Sequence, residues 1–261
     1  MRTWAIQAAA GIHPFTLQPT TPAKVLYVDL ENTARQTRRK LRPLAIAAAD
    51  LLDPNQFIIE CKPDGLDLTT PEGRSWLTQI CNTHTPDILF TGPIYKMAGG
   101  NPNSEEDSKP VALTLDALRT EHDMAIILEA HVKKAETSGG NKHRAKEPVG
   151  WSGWMRWPEF GIHLSEDGDI SHWRGMREER DFPTMLTRGG QWPWSPAVSP
   201  NEEAFHRIRK AIQESGEHDL SQREIARRAG LSLAKVNRVA GEYSTQLTAV
   251  RMRMQTEAGQ S

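Results

Sequence analysis

Acidic side chains and a histidine follow two of the apolar runs in this sequence of 261 residues. Asp29 and Glu31 come at the end of the first run, and Glu129 and His131 directly follow the fourth. A glutamate at the end of a strand can polarise a water molecule for attack on a phosphate group. Because side chains alternate along a strand, Asp29 and Glu31 are predicted to share a face. Strand-end acids also serve as caps and turn residues, and the pattern alone does not separate the two roles.

Four short apolar runs predict the strands that position these residues, because such runs are typical of strands buried on both faces. Helix-length segments lie between the runs, so the sequence predicts βαβ units and a mostly parallel sheet. Proteins of this α/β class bind ligands at the carboxyl edge of the sheet, where the acidic residues would lie. The predicted strands are residues 24–30, 57–59, 87–91 and 125–128, and the predicted helices are residues 33–52, one capped by Thr70 and one capped by Ser108.

Basic residues are concentrated directly after His131. Residues 132–146 contain five Lys or Arg and one Glu, and a basic loop at the ligand edge favours binding of a phosphate backbone. An ordinary solvated loop is the alternative. A second basic cluster, from Arg35 to Arg42, is interpreted as a solvated or subunit-facing helix face. The loop residues predicted to bind DNA are Lys133, Lys134, Lys142, Arg144 and Lys146.

Residues 201–261 predict a small all-α module of the helix-turn-helix or winged-helix type. Ser221 is suited to cap the first of two short helices, and Gly230 is suited to end it. Ser232 is suited to cap the next helix, and two capped helices joined in this way are typical of DNA-binding modules. A helical bundle that contacts other subunits is the alternative. The side chains predicted to reach DNA are Arg223, Lys235, Asn237 and Arg238.

Composition excludes several classes of protein. No run of about 18 apolar residues occurs, which excludes a membrane-spanning helix, and the N-terminus lacks the pattern of a secretory signal. Two cysteines cannot form a disulfide framework and fit a reducing, cytoplasmic location. The net charge of −1 argues against a uniformly basic coat, and the histidines have no metal-ligand spacing. Changes in composition predict a domain over residues 1–180, a Pro/Gly-rich linker over 181–200 and the helical module over 201–261.

In their order along the chain, these segments resemble the RecA-fold ATPases of phage and plasmid replication. The nearest group is the RepA/DnaB-like hexameric helicase family in its actinobacterial and actinophage form. The resemblance covers about residues 1–175. Thr3–Gly11 resembles the helix after the Walker A motif, and DILFTGPIY at 87–95 resembles the Walker B strand. The other segments that carry the resemblance are VLYVDLEN at 25–32, Glu129–His131 and GWSGWMRWPEFGIHL at 150–164.

The resemblance implies a RecA-like core, which is a mostly parallel sheet flanked by helices, and it implies a role for each strand-end residue. Glu31 would activate the attacking water, and His131 would sense the γ-phosphate. Asp29, Gly92 and Glu129 would belong to the nucleotide site, with Gly92 at the position of the Walker B acid.

The resemblance also implies cofactors and partners. The cofactors are ATP and Mg²⁺, and the partners are single-stranded or duplex DNA, other replication proteins and further copies of the chain in a hexameric ring. Residues 94–110 and 133–148 resemble the family's two DNA-binding loops. The phosphate-binding motif Gly-x-x-x-x-Gly-Lys-Ser/Thr does not occur in the sequence, and the resemblance places its end just before Met1. We therefore expect either that this segment lies upstream or that the chain does not hydrolyse ATP by itself.

Two functions are favoured by these patterns. The first is a helicase-like replication ATPase that couples ATP hydrolysis to movement on, or loading onto, single-stranded DNA. The alternative is a catalytically inactive DNA-binding initiator or regulator that uses the C-terminal helix-turn-helix. A recombination mediator that shares the fold is a third and weaker interpretation.

Overall fold

The structure is a computed structural model of the protein. It divides into two compact units, residues 1–196 and residues 197–261, which are described separately. The residues that the structure describes are 1–132, 136–138, 141–143, 148–176, 183, 185–196, 200–215, 220–244, 247–248, 250 and 252.

A four-stranded parallel sheet forms the centre of the first unit, with strand order β2-β1-β3-β4. The central strand β1 is buried at all five positions, which explains why its sequence is a continuous apolar run. The four predicted strands are therefore confirmed, within one or two residues at their ends. Their bounds are β1 (Val25–Asp29), β2 (Phe57–Cys61), β3 (Ile88–Gly92) and β4 (Ala125–Leu128).

Helices cover both faces of this sheet. They are α1 (Arg2–Ala9), α2 (Ala34–Ala48), α3 (Pro71–His84) and α4 (Glu105–His122). Tyr27 of β1 packs with α1 and α2 on one face, and Leu26 and Val28 pack with α3 and α4 on the other. The sequence thus forms the predicted α/β fold, and the arrangement is RecA-like.

Side-chain caps set the starts of these helices. Thr33 and Gln36 form a capping box at the start of α2, and Thr70 accepts a hydrogen bond from the Gly73 N–H at 3.1 Å, as predicted. The predicted cap at Ser108 is wrong, because α4 begins one turn earlier with Ser104 as its cap. Three acidic residues fill that first turn, where they interact favourably with the helix dipole.

Short antiparallel hairpins and 3₁₀ turns complete the first unit. Leu186 is fully buried against Ile170 and Phe15, so part of the segment predicted as a linker packs as a strand in this unit. The strands are β5 (Glu136–Ser138), β6 (Asn141–His143), β7 (Gly161–Leu164), β8 (Ile170–Arg174), β9 (Leu186–Arg188) and β10 (Trp194–Pro196), paired in sequence order. The 3₁₀ helices are Ala49–Leu51, Pro54–Gln56, Ile94–Lys96 and Ser152–Met155.

Three helices form the described part of the second unit: α5 (Pro200–Ser215), α6 (Gln222–Ala229) and α7 (Leu233–Glu242). Apolar side chains from all three share one core. The predicted caps at Ser221 and Ser232 are confirmed, and Gly230 ends α6 with a φ of +62°. The DNA-binding role of these helices stays a prediction. Among the described helices of the chain, none is long and apolar enough to cross a membrane.

Candidate functional site

The carboxyl ends of β1, β3 and β4 bring three side chains together at one edge of the sheet. The Tyr95 hydroxyl, beyond β3, donates a hydrogen bond of 2.7 Å to Oε1 of Glu31, beyond β1. The ring of Tyr95 also lies 5.4 Å from the ring of His131, beyond β4. Tyr95 therefore joins the two residues that the sequence predicts to be catalytic. We call Glu31, Tyr95, Glu129 and His131 the edge cluster.

Glu129 and His131 occupy the β4 side of the edge cluster. Oε1 of Glu129 lies 3.9 Å from Nε2 of His131, and both side chains are partly exposed. The backbone of Glu129 is fixed, because its N–H donates to the Thr91 carbonyl at 3.0 Å and its carbonyl accepts from the Ile94 N–H at 2.9 Å. The acidic side chain is thus presented from a rigid backbone.

The hydrogen bond from Tyr95 leaves half of the Glu31 carboxylate available. Oε2 of Glu31 has no hydrogen-bond partner within the described part of the chain, and the side chain is exposed. The hydrogen bond to Glu31, followed by partial burial and the charges of Glu31 and Glu129, raises the pKa of Tyr95 above its usual value. The phenol therefore stays protonated at neutral pH and acts as a donor.

Asp29 has very different surroundings from Glu31. Its side chain is only 3% exposed, and it accepts hydrogen bonds from the Glu31 N–H, from the Asn32 backbone and side chain, and from the Thr37 hydroxyl, at 2.9 to 3.1 Å. The Arg2 guanidinium adds a contact of 3.7 Å. Because β1 ends at Asp29, strand alternation does not extend to Glu31. Asp29 organises the turn that carries Glu31, and both of its oxygens are used within the chain.

Burial and hydrogen bonding act on Asp29 in opposite directions. Burial alone would raise the pKa of Asp29, but the hydrogen bonds from Asn32, from the Glu31 backbone and from Thr37 outweigh burial and hold that pKa below its usual value. Asp29 is therefore ionised at neutral pH in the interior of the protein.

The structure gives a steric reason for glycine at position 92, which is predicted to correspond to the Walker B acid. Its φ is +138°, and a Cβ at this position would lie 2.9 Å from the N, O and Cβ atoms of Glu129. Any side chain would therefore collide with the first residue beyond β4, whose carboxylate extends from the neighbouring strand.

Sequence reasoning missed the residues that hold this edge together. Tyr95, Asn32 and Thr37 contact the predicted acids, and Nζ of Lys40 donates to Oδ1 of Asn32 at 2.5 Å. Asn32, Thr37 and Lys40 follow Asp29 within eleven residues, so their helical and turn spacing was a usable signal. Tyr95 is 64 residues from Glu31, and only its position after a predicted strand pointed to it.

Four of the predicted DNA-binding residues lie in the second unit. Arg223, Asn237 and Arg238 are exposed in the second unit, whereas Lys235 is partly buried and donates to Oδ1 of Asn201 at 2.5 Å. The positions that fall outside the described residues are Lys133, Lys134, Arg144, Lys146 and the side chain of Lys142.

The free carboxylate oxygens of the edge cluster match what a hydrated Mg²⁺ requires. Mg²⁺ is usually held by one or two carboxylates together with waters and phosphate oxygens, and Glu31 and Glu129 supply two carboxylates at this edge. In the part of the chain that the structure describes, no group of three His, Cys, Asp or Glu side chains is placed to hold a metal by itself. The edge cluster thus fits the water side of a nucleotide site, but not a dedicated protein-only metal site.

A comparison with protein families matches the segment that carries the edge cluster. A family model described as an AAA domain matches residues 3–137, which is more than half of the chain. The matched segment begins in α1 and includes the whole four-stranded sheet and the edge cluster. No curated protein matches the chain.

Replacing Gly92 by alanine is expected to destabilise the first unit by about 2–4 kcal/mol, since left-handed strain and a backbone collision add. Gly189→Ala is the matched control, because Gly189 has a φ of +105° with no heavy atom near its Cβ position, and about 1–2 kcal/mol of strain is expected there. Urea denaturation followed by tryptophan fluorescence reports this unit, since all eight tryptophans lie in it. Equal losses in the two variants would contradict the collision with Glu129.

Asp29 is expected to make stability dependent on acid pH. A depressed carboxyl pKa contributes stability that is present above the unfolded value of about 4 and is lost as the pH falls toward the folded value. Asp29→Asn is expected to cost about 2 kcal/mol at pH 7 and to flatten the fall in stability below pH 4, as measured by urea denaturation at several pH values. The exposed Asp50→Asn serves as the control. An unchanged acid profile in Asp29→Asn would show that folding does not lower the pKa of Asp29.

Proposed function

The chain belongs to the AAA domain family, and from this premise we propose that it is a helicase-like DNA replication ATPase. It would couple ATP hydrolysis to movement on, or loading onto, single-stranded DNA. The family and the RecA-like sheet indicate an ATPase of the AAA/RecA type. The observation that carries the proposal is the edge cluster, where Glu31 presents a free carboxylate oxygen at the carboxyl edge of the sheet.

Glu31 acts as the base that orients the attacking water. One oxygen is held by the Tyr95 hydroxyl, which limits rotation of the carboxylate and leaves Oε2 available in an exposed side chain. A fixed carboxylate can accept a proton from a water molecule as that water attacks phosphorus. Tyr95 remains protonated beside it and acts as a positioning residue.

His131 links the edge cluster to the basic segment predicted to bind DNA. The carbonyl of His131 accepts a hydrogen bond from the Val149 N–H at 2.7 Å, and Val132 pairs with Pro148 in an isolated bridge. The residues that flank the segment 133–147 on its two sides therefore pair with each other at His131 and Val132. A change in the contacts of its imidazole would be transmitted to the base of that segment, which supports a role in coupling nucleotide state to DNA contact.

ATP, with Mg²⁺, supplies the phosphoryl group that is transferred to water when the nucleotide is bound. Glu129 would hold the hydrated metal through its carboxylate, and the imidazole of His131 would donate to the terminal phosphate. Single-stranded DNA, a hexameric ring of this chain and other replication proteins complete the proposed partners.

The proposal predicts ATP hydrolysis that single-stranded DNA stimulates. Glu31→Gln is expected to lower kcat by about 10²-fold or more, because general-base catalysis contributes that much, while DNA affinity changes less than twofold. Phosphate release is measured with and without an oligonucleotide, and DNA binding is measured by fluorescence anisotropy. Glu121→Gln, an exposed change of the same type on α4, is the control and is expected to retain full activity.

Two outcomes would overturn the proposal in different ways. Hydrolysis that survives Glu31→Gln would remove Glu31 as the base. A protein that binds specific duplex DNA but hydrolyses no ATP would instead support the catalytically inactive initiator or regulator, with the exposed Asn237 and Arg238 of α7 as its DNA contacts.

A further inference from the structure

The outer face of α2 carries an unusual concentration of positive charge. The helix contains no acidic residue, and its basic side chains are all exposed, whereas Thr37, Leu41, Leu44 and Ala48 are buried on the opposite face. Spacings of three, four and seven residues place the arginines on one side of the helix. We call Arg35, Arg38, Arg39 and Arg42 the arginine stripe.

The described part of the chain contains no acidic or hydrogen-bonding partner for the arginine stripe. Among the described residues, none of the four guanidinium groups forms an ion pair or a side-chain hydrogen bond. Some other arginines are paired, since Arg119 is paired with Asp116, and Arg227 and Arg228 are paired with Glu224. The positive charge of the stripe is therefore left for a ligand or for solvent.

The position of the arginine stripe lowers the stability of the helix that carries it. Arg35 lies in the first turn of α2, where the positive end of the helix dipole repels cations, and no acidic residue in that turn offsets this repulsion. Like charges three and four residues apart also repel each other. A surface helix arranged for stability would carry acidic residues near its start, so the charges of the stripe favour a role in binding an anionic ligand.

We propose that the arginine stripe binds the phosphodiester backbone of a nucleic acid. Guanidinium groups match phosphate geometry through paired N–H donors. The seven-residue span from Arg35 to Arg42 is about 10 Å long, which covers about three phosphates of one strand along a B-form helix. The contacts are to phosphate only, so they stabilise the complex without reading sequence.

The stripe lies next to the edge cluster in the chain. Thr33 caps α2 directly after the turn that carries Glu31, and Lys40 of the same helix bonds to Asn32 in that turn. The site differs from the segments 94–110 and 133–148 and requires no nucleotide. Its test is therefore independent of the proposed ATPase function.

The experiment compares Arg35→Gln/Arg38→Gln/Arg42→Gln with a control that removes the same charge outside the two predicted DNA-binding loops, Arg119→Gln/Arg156→Gln/Arg174→Gln. All six residues are exposed in the first unit, and glutamine has a helix propensity close to that of arginine. Binding of a labelled 20-residue oligo(dT) and of a 20-base-pair duplex is measured by anisotropy without nucleotide, from 50 to 200 mM salt. Circular dichroism confirms that both variants are folded.

Loss of three phosphate contacts is expected to reduce the slope of log K against log salt by about 2 for the single strand or about 3 for the duplex. The control is expected to keep the slope of the parent protein. The oligonucleotide that shows the loss identifies the form of nucleic acid. Equal slopes in the stripe variant and the parent, or equal losses in stripe variant and control, would overturn the proposal. A changed oligomeric state in sedimentation with unchanged DNA binding would overturn it in favour of a subunit contact.

Discussion

The buried carboxylate of Asp29 is the constraint on which the candidate site depends. It ends the central strand of the sheet, and its oxygens accept hydrogen bonds from the next turn and from α2. An ionised carboxylate in the interior is stable only when it is fully bonded, so the turn from residue 30 to residue 33 has little freedom. This turn places Glu31 outside the strand, where its carboxylate is exposed and can act.

The neighbouring strands complete the arrangement through backbone packing rather than through further charge. A glycine ends β3, so the chain beyond β4 approaches within van der Waals contact, and Tyr95 then reaches across to Glu31. Glu129 and His131 follow from the adjacent strand. A parallel sheet with both faces buried thus gathers one exposed carboxylate, one phenol and one imidazole at a single edge, the place where α/β proteins bind ligands.

The sequence predicted the strands and helix ends, but it did not predict the contacts between them. Continuous apolar runs predicted the four strands, and local caps predicted Thr70, Ser221, Gly230 and Ser232, because these signals act over a few residues. The predicted cap at Ser108 lies one turn too late, because the acidic residues directly before it are also suited to the first turn of a helix. The opposite surroundings of Asp29 and Glu31, and the bond from Tyr95 across 64 residues, depend on where β1 ends and on strand order, which no local pattern encodes.

The most direct test of the edge cluster is the ultraviolet titration of Tyr95. The signal of this residue is obtained as the difference between the parent protein and Tyr95→Phe, and it is compared in the parent and in Glu31→Gln. Tyr95 is expected to titrate above the usual value of about 10, and Glu31→Gln is expected to lower the pKa of Tyr95 toward that value. An identical titration in the two proteins would show that Glu31 does not lie at the Tyr95 hydroxyl and would contradict the proposed site.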